Sequence, residues 1–179
     1  MEINGGVYKL KDRKLVLEIE DGFDLSGHYC RYILSGENGL GKTTFLEKIL
    51  IPALDKQRVD FLYIGQDIRN QLYTLRALLA AMGLSVMSAD ERELLRVWIA
   101  NSATARVLIM DEFDKYFSDC EFIFQWTRRF IQYCFVVTHH DQQLSGMDPN
   151  TAGRICRVRF EHAGQDGGLK RVRVRQEPP

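Results

Sequence analysis

Short apolar runs alternate with segments of helical spacing along the chain. The stretch "KLVLEIE" (14–20) alternates apolar and polar positions and predicts a strand, and "YCRYILSG" (29–36) predicts a second one. Three compact apolar runs predict further strands: "VDFLYIG" (59–65), "RVLIMDE" (106–112) and "CFVVTHH" (134–140). Because several runs are apolar on both faces, the pattern predicts an α/β fold with a mostly parallel sheet flanked by helices.

The segments between these strands carry helical spacing. A helix is expected from Thr43, and Pro52 predicts either its end or the start of a further turn. Another helix is predicted by apolar residues at helical spacing, with Gly83 as its C-terminal cap. These apolar residues are Leu72, Leu75, Leu78, Leu79 and Met82. Two more helices are expected, one from Ser88 and one over about 118–132.

The C-terminal region has the pattern of an antiparallel hairpin. "RICRVRF" (154–160) and "LKRVRVR" (169–175) alternate in polarity and are joined by the glycine-rich "EHAGQDGG" (161–168). The arginines of the second strand favour a solvated face over a nucleic-acid site. Since there is no internal repeat or linker, we expect one domain over residues 1–179.

Composition narrows the class of protein. Acidic and basic residues number 24 each, so global charge gives no indication of nucleic acid or an anionic membrane. No apolar run approaches the roughly 18 residues that a spanning helix needs. The four cysteines are scattered without a C-x-x-C pair, which favours buried thiols in a reducing, cytoplasmic compartment over a zinc site or a disulfide framework. They are Cys30, Cys120, Cys134 and Cys156.

The stretch "SGENGLGKTT" (35–44) has the composition of a phosphate-binding loop. It contains the pattern G-x-x-x-x-G-K-[ST] at Gly36, Gly41, Lys42 and Thr43, between a predicted strand and a predicted helix. Glycines let successive backbone N–H groups converge on anionic oxygens, and the helix N-terminus faces the same phosphates. Lys42 then supplies a cation for the β- and γ-phosphates, and the Thr43 hydroxyl is a magnesium ligand.

Polar residues follow two other predicted strands. Asp111 and Glu112 end one buried run, and His139 and His140 end another. Because ligands bind at the carboxyl edge of a parallel sheet, we expect these side chains near the phosphate loop. Asp111 is then suited to hold magnesium and Glu112 to polarise the attacking water, while an imidazole is suited to hydrogen-bond the γ-phosphate.

From about Tyr32 to His140 the chain resembles the nucleotide-binding domain of the ATP-binding cassette (ABC) superfamily. Four stretches carry the resemblance. "GENGLGKTT" is similar to Walker A, "YIGQD" to the Q-loop, "VLIMDE" to Walker B and "VVTHH" to the switch-histidine strand. The resemblance implies a P-loop NTPase fold, an ATP hydrolase activity, and ATP with Mg²⁺ as ligands.

The resemblance also implies roles for single residues. Gln66 would contact the metal, together with Thr43 and Asp111, and the attacking water. Glu112 would be the catalytic glutamate, with His139, or as a fallback His140, as the switch. The phosphates would lie on the loop residues Gly36, Glu37, Asn38, Gly39, Leu40, Gly41, Lys42, Thr43 and Thr44. Tyr8 is either the aromatic residue that stacks on adenine or a core tyrosine.

Two features depart from the family. Its L-S-G-G-Q signature has one counterpart, "MSADE" (87–91), which keeps Ser88 but replaces both glycines with Ala89 and Asp90. That segment would contact ATP across a dimer, or it is an ordinary acidic helix start. Few residues separate Gln66 from this segment. The helical subdomain that the family has at this place would therefore be much reduced. The resemblance still implies an ABC-type core that pairs with itself or with another ABC-type subunit.

Several functions stay open at this stage. One expectation is the ATP-binding subunit of a membrane transporter, held at the membrane by a partner. The alternative is a non-transport ABC-type ATPase of the genome-maintenance or defence kind, acting on nucleic acid or a protein complex. A slowly hydrolysing regulatory subunit is a third alternative. Small-molecule kinases and other P-loop classes give no reason for Gln66 and His139 at strand ends.

Overall fold

The computed structural model describes most of the chain. The described residues are 2–20, 22–24, 30–66, 68–83, 91–102, 104–112, 114, 127–128, 131–138 and 154–177. The strands are β1 Glu2–Ile3, β2 Gly6–Leu10, β3 Leu15–Ile19, β4 Phe23–Asp24, β5 Cys30–Ser35, β6 Phe61–Ile64, β7 Val107–Met110, β8 Tyr133–Val137, β9 Arg154–Asp166 and β10 Leu169–Glu177. The helices are α1 Lys42–Phe45, α2 Ile51–Lys56, α3 Ile68–Ala81 and α4 Glu91–Asn101.

Eight of the described strands form one sheet in the order β2-β3-β10-β9-β5-β8-β7-β6. The pairs β2–β3 and β9–β10 are antiparallel, and the other neighbours run parallel. β8 therefore lies between β5, which leads into the phosphate loop, and β7, which leads into Asp111. This arrangement confirms the predicted α/β fold with a mostly parallel sheet.

Helices cover both faces of the sheet. On one face, Phe45, Leu46 and Leu50 pack into an apolar cluster with β3, β5 and the C-terminal hairpin. On the other face, α3 and α4 pack against β6, β7 and β8 in a second cluster. Strands such as β7 and β8 are buried at every position because both of their faces are covered.

The helix after the phosphate loop continues through Pro52. α1 passes into a π-helical segment, Leu46–Leu50, and then into α2 with Pro52 in its first turn. Proline has no N–H to donate, so it is tolerated at the start of a helical segment. Of the two sequence expectations for Pro52, the start of a further turn is confirmed.

The C-terminal hairpin has a tighter turn than the sequence indicated. The expected connection over 161–168 was wrong, because β9 extends to Asp166 and only Gly167 and Gly168 form the turn. Both glycines have positive φ, +57° and +81°, as a two-residue type I′ turn requires. The hairpin itself is confirmed, and its second strand pairs in parallel with β3.

The arginines of β10 are paired with carboxylates on neighbouring strands. Arg171 lies 2.9 Å from Glu18, Arg173 lies 2.9 Å from Glu20, and Arg175 lies 3.0 Å from Glu161. Such exposed pairs each contribute roughly 0–1 kcal/mol. They neutralise the charges of these three arginines, which favours the solvated-face interpretation over a nucleic-acid site.

The expected helix after β6 is present as α3, and it divides its apolar residues between core and surface. Leu72, Leu75 and Leu79 are buried against the sheet, while Leu78 and Met82 are exposed. Gly83, with φ +76°, lies two residues after the last residue of α3, and its N–H closes the helix end by donating to the Ala80 carbonyl. Among the described helices, none has the length and apolar character to cross a membrane.

Three cysteines are buried thiols, as the sequence indicated. The Sγ atoms of Cys30 and Cys156 lie 3.2 Å apart on the neighbouring strands β5 and β9. The hydrogen bond from Cys156 lowers the pKa of Cys30 to about 7, whereas burial raises the pKa of Cys134 to about 12. Cys120 lies outside the described residues.

Candidate functional site

The phosphate loop connects the buried strand β5 to the first turn of α1. Gly36 has φ +138°, and a Cβ there would lie 2.5 Å from the carbonyl oxygen of Phe160 on β9. Gly41 has φ +84°, and a Cβ there would lie 2.5 Å from a methyl carbon of Leu15. Both positions therefore require glycine, because left-handed backbone and close packing coincide. The sequence pattern predicted these glycines for a loop whose backbone must approach a ligand.

Lys42 is buried and directed into the loop. Its Nζ donates hydrogen bonds to the carbonyl oxygens of Gly36 and Glu37, the second at 3.0 Å. Behind it, the amide of Phe45 donates to the Gly41 carbonyl at 2.8 Å and closes the first helical turn. The ammonium group of Lys42 is thus held among loop atoms at the N-terminus of α1. The ammonium group and the helix N-terminus both favour a bound anion at this place.

The acid pair lies at the end of β7, at the same edge of the sheet. The backbone N–H of Asp111 donates to the Ile64 carbonyl at 2.9 Å, which continues the β6–β7 pairing by one residue. Asp111 is fully buried, and Glu112 is partly buried with φ +52°, a left-handed conformation that is unusual for a non-glycine residue. Local strain of this kind is concentrated at functional sites.

One cavity joins the loop to the acid pair. Its volume is about 320 Å³, within the range of ligand sites. It brings together nine of the residues proposed from the sequence: Asn38, Gly39, Gly41, Lys42, Thr43, Thr44, Gln66, Asp111 and Glu112. Val137, the last residue of β8, lines it as well.

Two expected magnesium ligands are in contact. The Nε2 atom of Gln66 donates to the Oγ1 atom of Thr43 at 2.9 Å, across the gap between β6 and the loop. Hydroxyl, amide and carboxylate oxygens are the ligand types that Mg²⁺ prefers, and it usually takes few of them from protein. Thr43, Gln66 and Asp111 line the same cavity and carry oxygens of the types that would fit a magnesium ion. Among the described residues, no three His, Cys, Asp or Glu side chains cluster around a common point.

A hydrogen bond joins the segment after the acid pair to the end of β8. The hydroxyl of Thr138 donates to the carboxylate of Asp114, with distances of 2.7 and 3.0 Å to its two oxygens. The Thr138 amide also donates to the Leu34 carbonyl, so three neighbouring strands meet here. His139 and His140 follow directly but lie outside the described residues, as does Ser88.

Basic residues that the sequence did not single out form another wall of the cavity. Arg13 and Lys14 come from the turn between β2 and β3, and Lys170 comes from the start of β10. The Nζ atom of Lys170 donates to the Gly39 carbonyl at 3.1 Å. No local motif marks these residues, because they reach the site through strand pairing.

Tyr8 lies on β2 and does not line this cavity in the part of the chain that the structure describes. Its hydroxyl donates to the Asn4 carbonyl at 2.8 Å, and its ring packs against the core cluster. Contact between Tyr8 and adenine stays a prediction.

Burial and the nearby charge of Asp111 raise the pKa of another tyrosine, Tyr63, so it stays a neutral phenol.

Comparison with known proteins finds similarity among solved structures. No family model matches the sequence, and no curated protein matches it. Among solved structures, a KaiC-like protein from the hyperthermophilic archaeon Pyrococcus horikoshii OT3 is 13% identical, with 97% of this chain and 88% of that chain covered and a TM-score of 0.48. Cdc6p from Pyrobaculum aerophilum is 22% identical, with 73% and 39% covered and a TM-score of 0.45. The strand order and the glycine-lysine loop at the sheet edge carry the conclusion that the chain has an α/β P-loop NTPase fold.

Proposed function

We propose that this chain binds MgATP at the phosphate loop and hydrolyses it. The observation that carries the proposal is the single cavity lined both by Lys42 and Thr43 and by Asp111 and Glu112. Hydrolysis of a phosphoanhydride needs cations on the phosphates and a carboxylate beside the attacking water. The cavity offers both within one space.

The loop and its lysine would bind the phosphates. Backbone N–H groups of residues 37–44 would bind the α- and β-phosphates, and the Nζ atom of Lys42 would neutralise oxygens of the β- and γ-phosphates that gain charge in the transition state. Thr43 and Asp111, with Gln66, would hold a magnesium ion, which supplies charge neutralisation and fixes the phosphate geometry. Asp111 is suited to this role because its buried side chain lines the cavity and its backbone is held at the end of β7 by the hydrogen bond to Ile64.

Glu112 would act on water. It follows Asp111 directly, adopts a left-handed backbone and lines the same cavity. A carboxylate that is partly buried beside the γ-phosphate position can orient a water molecule and accept its proton. His139 would hydrogen-bond the γ-phosphate, a role supported by the position of Val137, two residues earlier, in the wall of the cavity.

Calorimetry and phosphate release test this activity directly. Titration of the unmodified protein with MgATP is expected to give a single-site binding curve, and inorganic phosphate is expected to accumulate over many turnovers. Chelation of magnesium with EDTA serves as the control and is expected to stop phosphate release, because the charge on the phosphates is then not neutralised. The absence of heat on titration with MgATP would contradict the proposal.

We further propose the ABC type for this ATPase, most simply as the ATP-binding subunit of a transporter. The apolar side chains of Leu78 and Met82 at the C-terminal end of α3 support a partner protein, because they are four residues apart and are 57% and 62% exposed. Action on nucleic acid is the alternative, but the carboxylate partners of Arg171, Arg173 and Arg175 give it no support.

ATP-dependent pairing is the expected consequence of an ABC-type site, because half of such a site comes from a second subunit. Light scattering of a hydrolysis-deficient variant, Glu112→Gln, is expected to show a mass near 20.7 kDa without nucleotide and twice that mass with ATP. ADP is the control, since it lacks the γ-phosphate that the second subunit would contact. A mass that stays at 20.7 kDa with ATP bound would contradict self-pairing and favour a different subunit as partner.

A further inference from the structure

We propose that Lys170, on the C-terminal hairpin, is a positioning residue of the phosphate loop. The inference rests on the proposed nucleotide binding. It assigns the hairpin a part in that binding, and it concerns a residue that is distant in sequence from every motif of the site. The contact that carries it is the hydrogen bond from the Lys170 Nζ atom to the Gly39 carbonyl at 3.1 Å, between residues 131 positions apart.

This hydrogen bond fixes a peptide group in the loop. No cis peptide bond occurs among the described residues, so the carbonyl of Gly39 and the N–H of Leu40 point in opposite directions. Gly39 has φ +74° and open space around it, so its own packing does not hold this peptide plane. With the carbonyl bound by Lys170, the Leu40 N–H is held in one orientation. Loop amides of this kind are the groups that bind phosphate.

The hairpin is held next to the phosphate loop by its pairing with β3. The backbone N–H of Lys170 donates to the Lys14 carbonyl at 2.9 Å, and Lys170 is the register partner of Leu15 in the parallel β3–β10 pair. Leu15 is itself buried and sits directly against Gly41. Leu15 and Lys170 therefore contact the loop at two points. Leu15 packs against Gly41, and Lys170 donates a hydrogen bond to Gly39.

The ammonium group also adds charge to the site. Lys170 lines the same cavity as Lys42. Lys42 is bound to the carbonyls of Gly36 and Glu37, at the start of the loop, whereas Lys170 is bound to Gly39, at its middle. The two lysines thus orient different peptide groups of one anion site, and their effects on phosphate binding should be separable.

The variant Lys170→Met tests this inference against a matched control, Lys9→Met. Lys9 is a lysine beside the same hairpin, 3.1 Å from Asp166, and it does not line the cavity. By calorimetry, Lys170→Met is expected to bind MgATP, MgADP and inorganic tripolyphosphate about five- to tenfold more weakly, since a loosened amide loses part of a hydrogen bond to a charged group. Lys9→Met is expected to bind all three within about twofold of the unmodified protein.

Two further readouts separate positioning from general support of the fold. In nucleotide-free protein, the ¹H–¹⁵N signal of Leu40 is expected to shift in Lys170→Met and not in Lys9→Met. The KM for ATP is expected to rise in Lys170→Met while kcat stays within about twofold, because loop amides contact the α- and β-phosphates rather than the attacked γ-phosphate. Lys170→Arg, which keeps a donor and the charge, is expected to restore most of the affinity.

The outcomes are distinguishable. Equal affinities of Lys170→Met and Lys9→Met for tripolyphosphate, with an unshifted Leu40 signal, would overturn the inference while leaving nucleotide binding intact. Failure of the unmodified protein to bind any of the three ligands would overturn the proposed function and this inference with it. If Lys170→Met lowers the melting temperature, the comparison moves to Lys170→Arg and Lys170→Ala, of which only arginine keeps a donor. Equal affinity in those two variants would also overturn the inference.

Discussion

Replacement of Lys42 by alanine is expected to abolish MgATP binding while the protein stays folded. The Nζ atom of Lys42 is buried in the loop, where it donates to the carbonyls of Gly36 and Glu37. Alanine removes the cation that faces the β- and γ-phosphates and also leaves those two carbonyls without this donor. Since a hydrogen bond to a charged group contributes about 1.5–3 kcal/mol, the loss of two or more predicts an affinity decrease on the order of 100-fold or larger.

Calorimetry of Lys42→Ala beside Lys48→Ala measures this effect. Lys48 belongs to the same helical segment, but its Nζ atom is exposed and lies 3.6 Å from Asp12. Its replacement removes the same charge without touching the loop and is expected to leave the affinity unchanged. Circular dichroism should show equal helix content in both variants. Tight MgATP binding by a folded Lys42→Ala protein would remove the phosphate loop from the proposed site.

Local patterns were sufficient to predict the central strands and the helices between β5 and β7, whereas most of the helix expected over about 118–132 lies outside the described residues. Apolar runs such as those of β7 and β8 are buried on both faces, so burial alone determines their composition and makes them easy to recognise. The short outer strands were missed. β2 is half exposed, and its pattern, "GVYKL", has little apolar content to mark it.

The order of strands in the sheet could not be read from local pattern. β9 lies beside β5 and β10 lies beside β3, pairings that join the end of the chain to its first quarter. Neither pairing leaves a periodic signal, because each strand shows only which of its own faces is apolar. Long-range pairing of this kind is also the reason that Lys170 reaches the phosphate loop without belonging to any motif.

The part of the site that the sequence predicted is the part built from contiguous residues. The loop and the acid pair each occupy a single short segment at the end of one strand, and parallel strands bring their ends to one edge. Arg13 and Lys14 belong to a turn with no marker of phosphate chemistry, so their place in the cavity follows only from the fold. Ser88 and His139 lie outside the described residues, and their roles stay predictions.

Replacement of Glu112 by glutamine is expected to preserve MgATP binding and to reduce turnover about 100-fold or more. Glutamine has nearly the shape of glutamate and can still hold a water molecule. It cannot accept the proton of that water at neutral pH, because an amide is not a base. The loop, Lys42 and Asp111 are unchanged, so the phosphates and the metal position are expected to be retained.

The backbone of Glu112 gives this prediction a structural basis beyond its place after Asp111. A left-handed conformation costs a non-glycine residue roughly 1–2 kcal/mol, and Glu112 adopts one with φ +52° at the edge of the cavity. A residue without a function at this position would be expected to be glycine or asparagine, which tolerate the conformation. Under the proposed function, the two adjacent carboxylates would serve different partners, magnesium for Asp111 and water for Glu112.

The comparison with Asp111→Asn separates these two roles. That variant is expected to need more magnesium for the same occupancy, whereas Glu112→Gln is expected to show the normal magnesium dependence of binding together with slow phosphate release. Glu93→Gln, a replacement of an exposed glutamate that is paired with Arg96 on α4, controls for the loss of one negative charge and is expected to turn over normally. Normal turnover in Glu112→Gln would falsify the assignment of this residue as the water-activating carboxylate, and a loss of binding would instead place its charge in nucleotide or metal binding.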